Sequence, residues 1–399
     1  MQEPAESDTS LRRWLFQFRD VIAALVVLLT VEGLLFHAGL YYPLLKPDSY
    51  AGKRRSVAAH AEARRAEFPD ARWVLFFGNS ITDQGIDTRF VDPSLDEAGL
   101  RSLKLAQGGV SPRTIYHLLR RQDFKTGRIG AVAVGVPFSH FPEDGLIKTT
   151  WSTDKNHHVD LAALTTEYGV GDQPRLALSF SGWENRLHVA AGSVFKSVLL
   201  RPDMRDFLRS PIRRLRAVAR RPDGLGLLPK HVSRPNVAQS LSGARLDGAG
   251  RLDVSQTSAW FQRPKNLELR EQVESALRFQ SKHPLAGADL KPDYHPVLKR
   301  YLMEAARLAS KHGVPTVWMA MPSTPFPIAD TVDLSVLEGM AETLRAEGHD
   351  VRVLHRPGLL RRLQQPRYFS DPLHLSVEGS MILSQTVGRD LATAFKAKS

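Results

Sequence analysis

Gly78-Asn79-Ser80 closes the apolar run at residues 73–77, and Asp371-Pro372-Leu373-His374 lies near the far end of the chain. A serine hydroxyl is a poor nucleophile until a base takes its proton and N–H groups stabilise the oxyanion that follows. His374 is the candidate base. Asp371, three residues earlier, can reach the other ring nitrogen if the two share a turn, fixing the tautomer and stabilising the imidazolium. Ser80 stands where a strand gives way to a helix, so its own N–H is an oxyanion donor favoured by the positive end of the helix dipole. Ser80, His374 and Asp371 are thus the parts of a nucleophilic serine site, provided a fold brings them together. Ser80 as a helix cap and His374 as a surface histidine are the plainer alternative.

The elements that must position these groups alternate. Residues 73–77 predict a strand, 103–106 a second, and Ser111-Pro112 opens a helix to Arg121 with proline in its first turn. Residues 131–136 are small or β-branched, as in a sheet buried on both faces. The alternation lapses over 141–290. It resumes with a helix over 296–312 closed by Gly313, a strand at 316–321, a helix at 332–346, a strand at 351–354 and a last helix from Ser376 to Phe395. Such β and α units imply an α/β fold with a mostly parallel sheet, whose ligands bind at the C-terminal ends of the strands.

Three blocks in this order resemble those of the SGNH (GDSL-like) hydrolase superfamily. Gly78-Asn79-Ser80-Ile81-Thr82 with Gly85 is similar to the first, Gln107-Gly108-Gly109 to the second, and the segment from Asp371 through His374 to Gly379 to the last. The resemblance implies a Ser80-His374-Asp371 triad and a flavodoxin-like three-layer sandwich with a five-stranded sheet and a large insertion after the third strand. A second-block glycine N–H would complete the oxyanion hole with that of Ser80; Gly109 fits by its distance to the following helix, and Gly108 stays open. Members usually carry Gly-x-Asn after the third strand. Here the strand runs into Gly135-Val136-Pro137-Phe138-Ser139-His140, so either Ser139 or His140 donates instead, or the hole has two donors. Losing one donor costs about 3 kcal/mol of transition-state stabilisation.

The chain has 399 residues, 42 % hydrophobic and 24 % charged, so a large folded core is expected; zero cysteines exclude disulfides and thiolate chemistry. Net charge of +12 favours an anionic neighbour without choosing among lipid, acidic polymer and nucleic acid. The stretch 21–45, from Val21 to Leu45, is interrupted by ionisable groups only at Glu32 and His37 and reads as an uncleaved membrane anchor, with a cleaved signal sequence as the alternative. Basic residues on both sides leave its orientation open. Glu32 would be either a partner site within the membrane or a protonated or snorkelling side chain. Residues 1–20 would form a cytoplasmic tail, 46–70 a solvated linker helix, 71–140 and 291–399 the two parts of the catalytic domain, and 141–290 the insertion. Within it, Arg201, Arg205, Arg209, Arg213, Arg214, Arg216, Arg220 and Arg221 alternate with apolar residues, as on a helix lying on anionic headgroups, in a polymer groove, or simply along a solvated face.

Anchor, insertion and altered third block together are similar to the envelope-associated subgroup that works beside membrane-bound O-acyltransferases, such as alginate acetylation proteins and the D-alanylation protein of teichoic acids. This implies a serine O-acetyltransferase or esterase acting on a cell-envelope polysaccharide. It would sit in a bacterial inner membrane as a single-pass protein with a periplasmic catalytic domain, a polytopic O-acyltransferase as partner and no cofactor. A catalytically weak module of the same fold, binding glycan or a membrane partner, is the alternative. Asp154, His157, His158 and Asp160 are spaced closely enough to hold a metal, though a polar loop explains them more simply. No phosphate-binding loop or dinucleotide fingerprint occurs, and nucleic-acid binding would rest on charge alone.

Overall fold

Strands and helices alternate in this computed structural model, which describes residues 7–47, 49–137, 146–148, 160, 164, 168, 172–219, 243–257, 259, 261–264, 270, 271, 273, 274, 277, 278, 281, 291–322, 334–354, 356–371 and 373–396. The elements begin with α1 (Ser7–Glu32), α2 (Tyr50–Glu67), β1 (Arg72–Phe77), α3 (Ser80–Gly85), α4 (Thr88–Asp96), β2 (Leu100–Lys104), α5 (Pro112–Leu119) and β3 (Ile129–Pro137). There follow β4 (Leu146–Lys148), α6 (Gln173–Leu178), α7 (Trp183–Val194), α8 (Lys196–Arg209), α9 (Pro211–Ala219), β5 (Arg245–Leu246), β6 (Leu252–Asp253) and β7 (Lys291–Asp293). The last are α10 (Pro296–Lys311), β8 (Thr316–Met321), α11 (Ser335–Ala346), β9 (Val351–Leu354), α12 (Pro357–Leu363) and α13 (Val377–Lys396). They form two compact units, Met1–Gly52 with Thr165–Arg220 and Lys53–Leu164 with Arg221–Ser399. Residues 141–290, expected as one insertion, divide between them.

In the larger unit, five strands lie in the order β2-β1-β3-β8-β9, every pair parallel. From Trp73 onward every residue of β1 is buried, as are Ala131 to Pro137 of β3, so both faces of the sheet are covered. Val74, Phe76, Ala131, Ala133, Val317 and Met319 point to one face, where their cluster includes Ile81, Val91, Leu95, Leu383 and Leu391 from α3, α4 and α13. β2 starts three residues before the expected position, because an edge strand containing Arg101 and Lys104 lacks a continuous apolar signature.

Helix α2 is not the solvated linker expected. Val57 and Ala61 are buried, and Arg64 donates through Nε to the Ser102 carbonyl at 3.1 Å and also pairs with Asp92. Asp92 in turn accepts from the Ser102 N–H at 2.8 Å and from its hydroxyl, so one arginine and one aspartate cover every polar group of a residue on the sheet edge.

The smaller unit carries one helix long and apolar enough to cross a membrane, Phe18–His37, with mean hydropathy 2.0; a membrane anchor and a signal sequence both fit it. It is shorter than the apolar run 21–45. After a π turn at Gly33–His37 the chain turns back, and Tyr41, Leu45 and Ala51 pack with Phe36 and with Leu200 of α8. Glu32 is buried here and accepts from the Ser197 N–H at 3.2 Å, satisfying one of the free donors at the start of α8. His37 Nε2 donates to the Val194 carbonyl at 3.0 Å. Both ionisable groups of the apolar run therefore have partners within this unit.

The basic stretch is also less uniform than its sequence. Arg214 is buried and donates to Asp203 Oδ1 at 2.8 Å and to the Leu44 carbonyl at 2.9 Å, while Asp203 accepts further from the Tyr41 hydroxyl and the Lys46 N–H. Arg220 and Arg221 lie outside the described residues. Arg214 also donates to Asp206, so removing Asp203 leaves the buried guanidinium one carboxylate fewer and takes the acceptor from the Tyr41 hydroxyl and the Lys46 N–H. Asp203→Ala is expected to destabilise the protein by about 3–5 kcal/mol, whereas exposed Arg205→Ala should stay within about 0.5 kcal/mol, both read from denaturant midpoints in detergent.

Candidate active site

Ser80 is the first residue of α3, delivered by the end of β1 through Gly78 and Asn79. Gly78 has φ 152°, and a Cβ there would meet Thr82 Oγ1 at 2.1 Å. A Cβ on Gly135 of β3 would meet the same oxygen at 2.1 Å, so the Thr82 side chain occupies space that two absent side chains leave open. Its hydroxyl donates to the Gly135 carbonyl at 3.4 Å. The Asn79 side chain accepts from the Ile81 N–H at 3.0 Å and caps the helix, which releases Ser80 from the capping role.

The C-terminal segment is set against this corner by α13. Ser380 and Ser384 donate to the Gly85 carbonyl at 3.1 and 3.3 Å, and Ser384 accepts from the Asp87 N–H at 2.9 Å. Gly379 passes so close to the Tyr368 carbonyl that a Cβ would lie 2.4 Å from it. Between them, Ser370 N–H donates to the His374 carbonyl at 2.8 Å and Phe369 bridges Leu375, which brings the backbone on either side of Asp371 and His374 together.

His374 Nε2 lies 2.9 Å from Ser80 Oγ, and its Nδ1 lies 2.8 Å from both Asp371 oxygens. Asp371 Oδ1 also accepts from the N–H groups of Leu373 and His374, each at 2.9 Å. Ser80, Asp371 and His374 are all half-buried. Burial raises the Asp371 carboxyl, but its hydrogen bond to and electrostatic attraction by His374 and the two backbone N–H donors outweigh this and hold it below the usual carboxylate range. An ionised Asp371 keeps a proton on Nδ1 and leaves Nε2 to receive the serine proton.

The second block also reaches the serine. Gln107 N–H donates to the Gly78 carbonyl at 3.0 Å, and a Cβ on Gly108 would stand 3.5 Å from Ser80 Cβ. Gly109 follows with φ 82°, the left-handed conformation that turns the loop toward α5. Ser139 and His140 lie outside the described residues, as do Asp154, His157 and His158.

Asp160 is described and does work that its spacing did not reveal. It is fully buried and accepts from the Ser111 N–H at 3.0 Å, Ser111 Oγ at 2.7 Å, Thr114 Oγ1 at 2.6 Å and Arg113 Nη1 at 3.0 Å. Burial pushes this carboxyl up, opposed by the Arg113 charge and the hydroxyl donors. These bonds fasten the start of α5, two residues beyond Gly109, and occupy both carboxylate oxygens. No local pattern predicts them, since the partners are more than forty positions away. Among the described residues no cluster of His, Asp and Glu could hold a metal ion.

No family model matches this chain, and no curated protein matches it.

Because the folded-state pKa of Asp371 is depressed, its contribution to stability is complete above the unfolded carboxylate pKa and is lost as pH falls through the lower folded value. The stability gap between wild type and Asp371→Asn is expected to narrow on acidification through that window in denaturant titrations. A gap independent of pH would contradict the assignment.

Proposed function

We propose that this chain is a membrane-anchored serine acyl-ester enzyme of the SGNH type, acting on an acylated cell-envelope polysaccharide. The observation that carries the reading is the unbroken relay from Ser80 Oγ through the His374 ring to Asp371. The strand order β2-β1-β3-β8-β9 supports the flavodoxin-like sandwich, since the five strands counted alone run 2-1-3-4-5. In that topology the strand order reverses between β1 and β3, and Ser80 follows β1 at its C-terminal end.

In the proposed reaction Ser80 Oγ attacks the acyl carbonyl as His374 Nε2 takes its proton, and Asp371 stabilises the imidazolium. The oxyanion accepts from the Ser80 N–H and from a glycine N–H of the second block. Gly108 stands beside Ser80, and Gly109 makes the left-handed turn that follows it. His374 then returns the proton to the departing sugar oxygen, leaving the acyl group on Ser80. Water completes an esterase cycle, and a second sugar hydroxyl completes a transferase cycle; exclusion of water from the acyl-enzyme decides between them. The apolar helix Phe18–His37 supports the anchor, and the reading puts the larger unit on the periplasmic side with a polytopic O-acyltransferase as partner.

The absence of an asparagine after β3 favours the second reading, a catalytically weak module that binds glycan. Turnover of a small acetyl ester separates the two. Ser80→Ala is expected to lower kcat by at least about a thousand-fold with an unchanged circular dichroism spectrum. Equal turnover in the variant would exclude the serine mechanism, and no turnover by either protein would favour the binding module. Acyl groups recovered on an added deacetylated glycan would identify transfer.

A further inference from the structure

Among the described residues, every exposed large apolar side chain except Val377 belongs to the smaller unit. Part of that set is the apolar helix itself, and apart from Leu40 and Tyr50 the rest lies on α6 to α9. Trp183, Leu187 and Val194 of α7 are 69, 58 and 41 % exposed. At about 100° per residue they fall within an arc of roughly 40°, so α7 turns an apolar stripe outward while Val189 is buried on another side. A soluble helix does the reverse.

Helices α8 and α9 add charge to the same unit. Val198, Arg201, Arg205 and Leu208 share the outer face of α8, and Ile212, Leu215 and Arg216 that of α9; Leu208 and Ile212 are 72 and 65 % exposed. Each exposed charged residue of these two helices is an arginine, because Asp203 is buried against Arg214 and Asp206 is half-buried beside it. Apolar and cationic side chains thus share the outer face of each helix, which suits neither a water-facing helix nor an apolar protein core. Arginine stems lie along apolar surface while their guanidinium groups reach phosphate, and tryptophan is enriched at the same depth.

The position of these helices is fixed by the end of the apolar helix. Glu32 accepts from the Ser197 N–H and His37 donates to the Val194 carbonyl, so the junction of α7 and α8 is hydrogen-bonded to the last turns of Phe18–His37. Where a span ends, headgroups begin.

We propose that the outer faces of α7, α8 and α9 lie in the interfacial layer of the bilayer, with their apolar residues among acyl chains and Arg201, Arg205, Arg209, Arg213 and Arg216 on anionic headgroup phosphates. The inference rests on the helix Phe18–His37 crossing the bilayer. It makes the smaller unit a platform seated on the membrane rather than a tether.

The natural absence of cysteine makes single-site labelling direct. Full-length Leu187→Cys, Ile212→Cys, Val26→Cys and Lys125→Cys variants would each carry a nitroxide in vesicles of phosphatidylglycerol and phosphatidylcholine. Collision rates with oxygen and with a water-soluble nickel chelate would then be measured by electron paramagnetic resonance. The expected result is a several-fold higher ratio of oxygen to nickel collisions at Leu187, Ile212 and Val26 than at Lys125, with Val26 deepest. Lipid-like Val26 with water-like Leu187 and Ile212 would overturn the platform alone. Low collision rates with both reagents at Leu187 and Ile212 would mean that protein covers the face, and would also overturn it. A water-like Val26 would remove the span and the platform together.

Discussion

Thr82 fits where it does only because Gly78 and Gly135 have no side chains, and the site depends on that close approach of α3 to the ends of β1 and β3. Seating Thr82 in the gap brings the start of α3 down onto the sheet and fixes Ser80 at its rim. On the other flank, Ser380 and Ser384 bind the carbonyl of Gly85 at the end of the same short helix. A six-residue helix is too short to be stable by itself and is held here by contacts at both ends. Those contacts convert a sequence separation of 294 residues into a 2.9 Å hydrogen bond between Ser80 and His374.

The fold was legible where one physical signal dominated. Continuous apolar runs marked β1, β3 and β8 because strands buried on both faces have no polar alternation to confuse them. Ser111-Pro112 and Gly313 marked helix ends through capping and left-handed backbone. Edge strand β2 and helix α4 were harder. Both are amphipathic and charged, and α4 has Pro93 inside it, so local propensity argues against a helix that tertiary packing against α13 maintains. The triad was legible as residue types and spacing within each block, whereas its convergence depended on packing that no short window contains.

Buried charge was the least legible feature. Arg113, Arg214, Asp160 and Asp203 look like ordinary surface residues in sequence, yet each is almost fully enclosed and hydrogen-bonded. Their partners are distant or on another helix, and burying them unpaired would be costly. The two pairs have parallel tasks in separate units. Asp160 fastens the helix that follows the Gly108-Gly109 loop, and Asp203 ties α8 and α9 to the chain emerging from the apolar helix. Glu32, which looked anomalous in an apolar run, belongs with them as the acceptor at the start of α8.

A hydroxyl that hands its proton to an adjacent imidazole becomes reactive toward electrophiles that ordinary serines ignore. The most direct test is to treat full-length protein with a fluorophosphonate and weigh its peptides. The account predicts a phosphonyl adduct on the Ser80 peptide that is strongly diminished in His374→Ala. A wild-type Ser80 peptide of unmodified mass, in protein whose fold is intact, would contradict it.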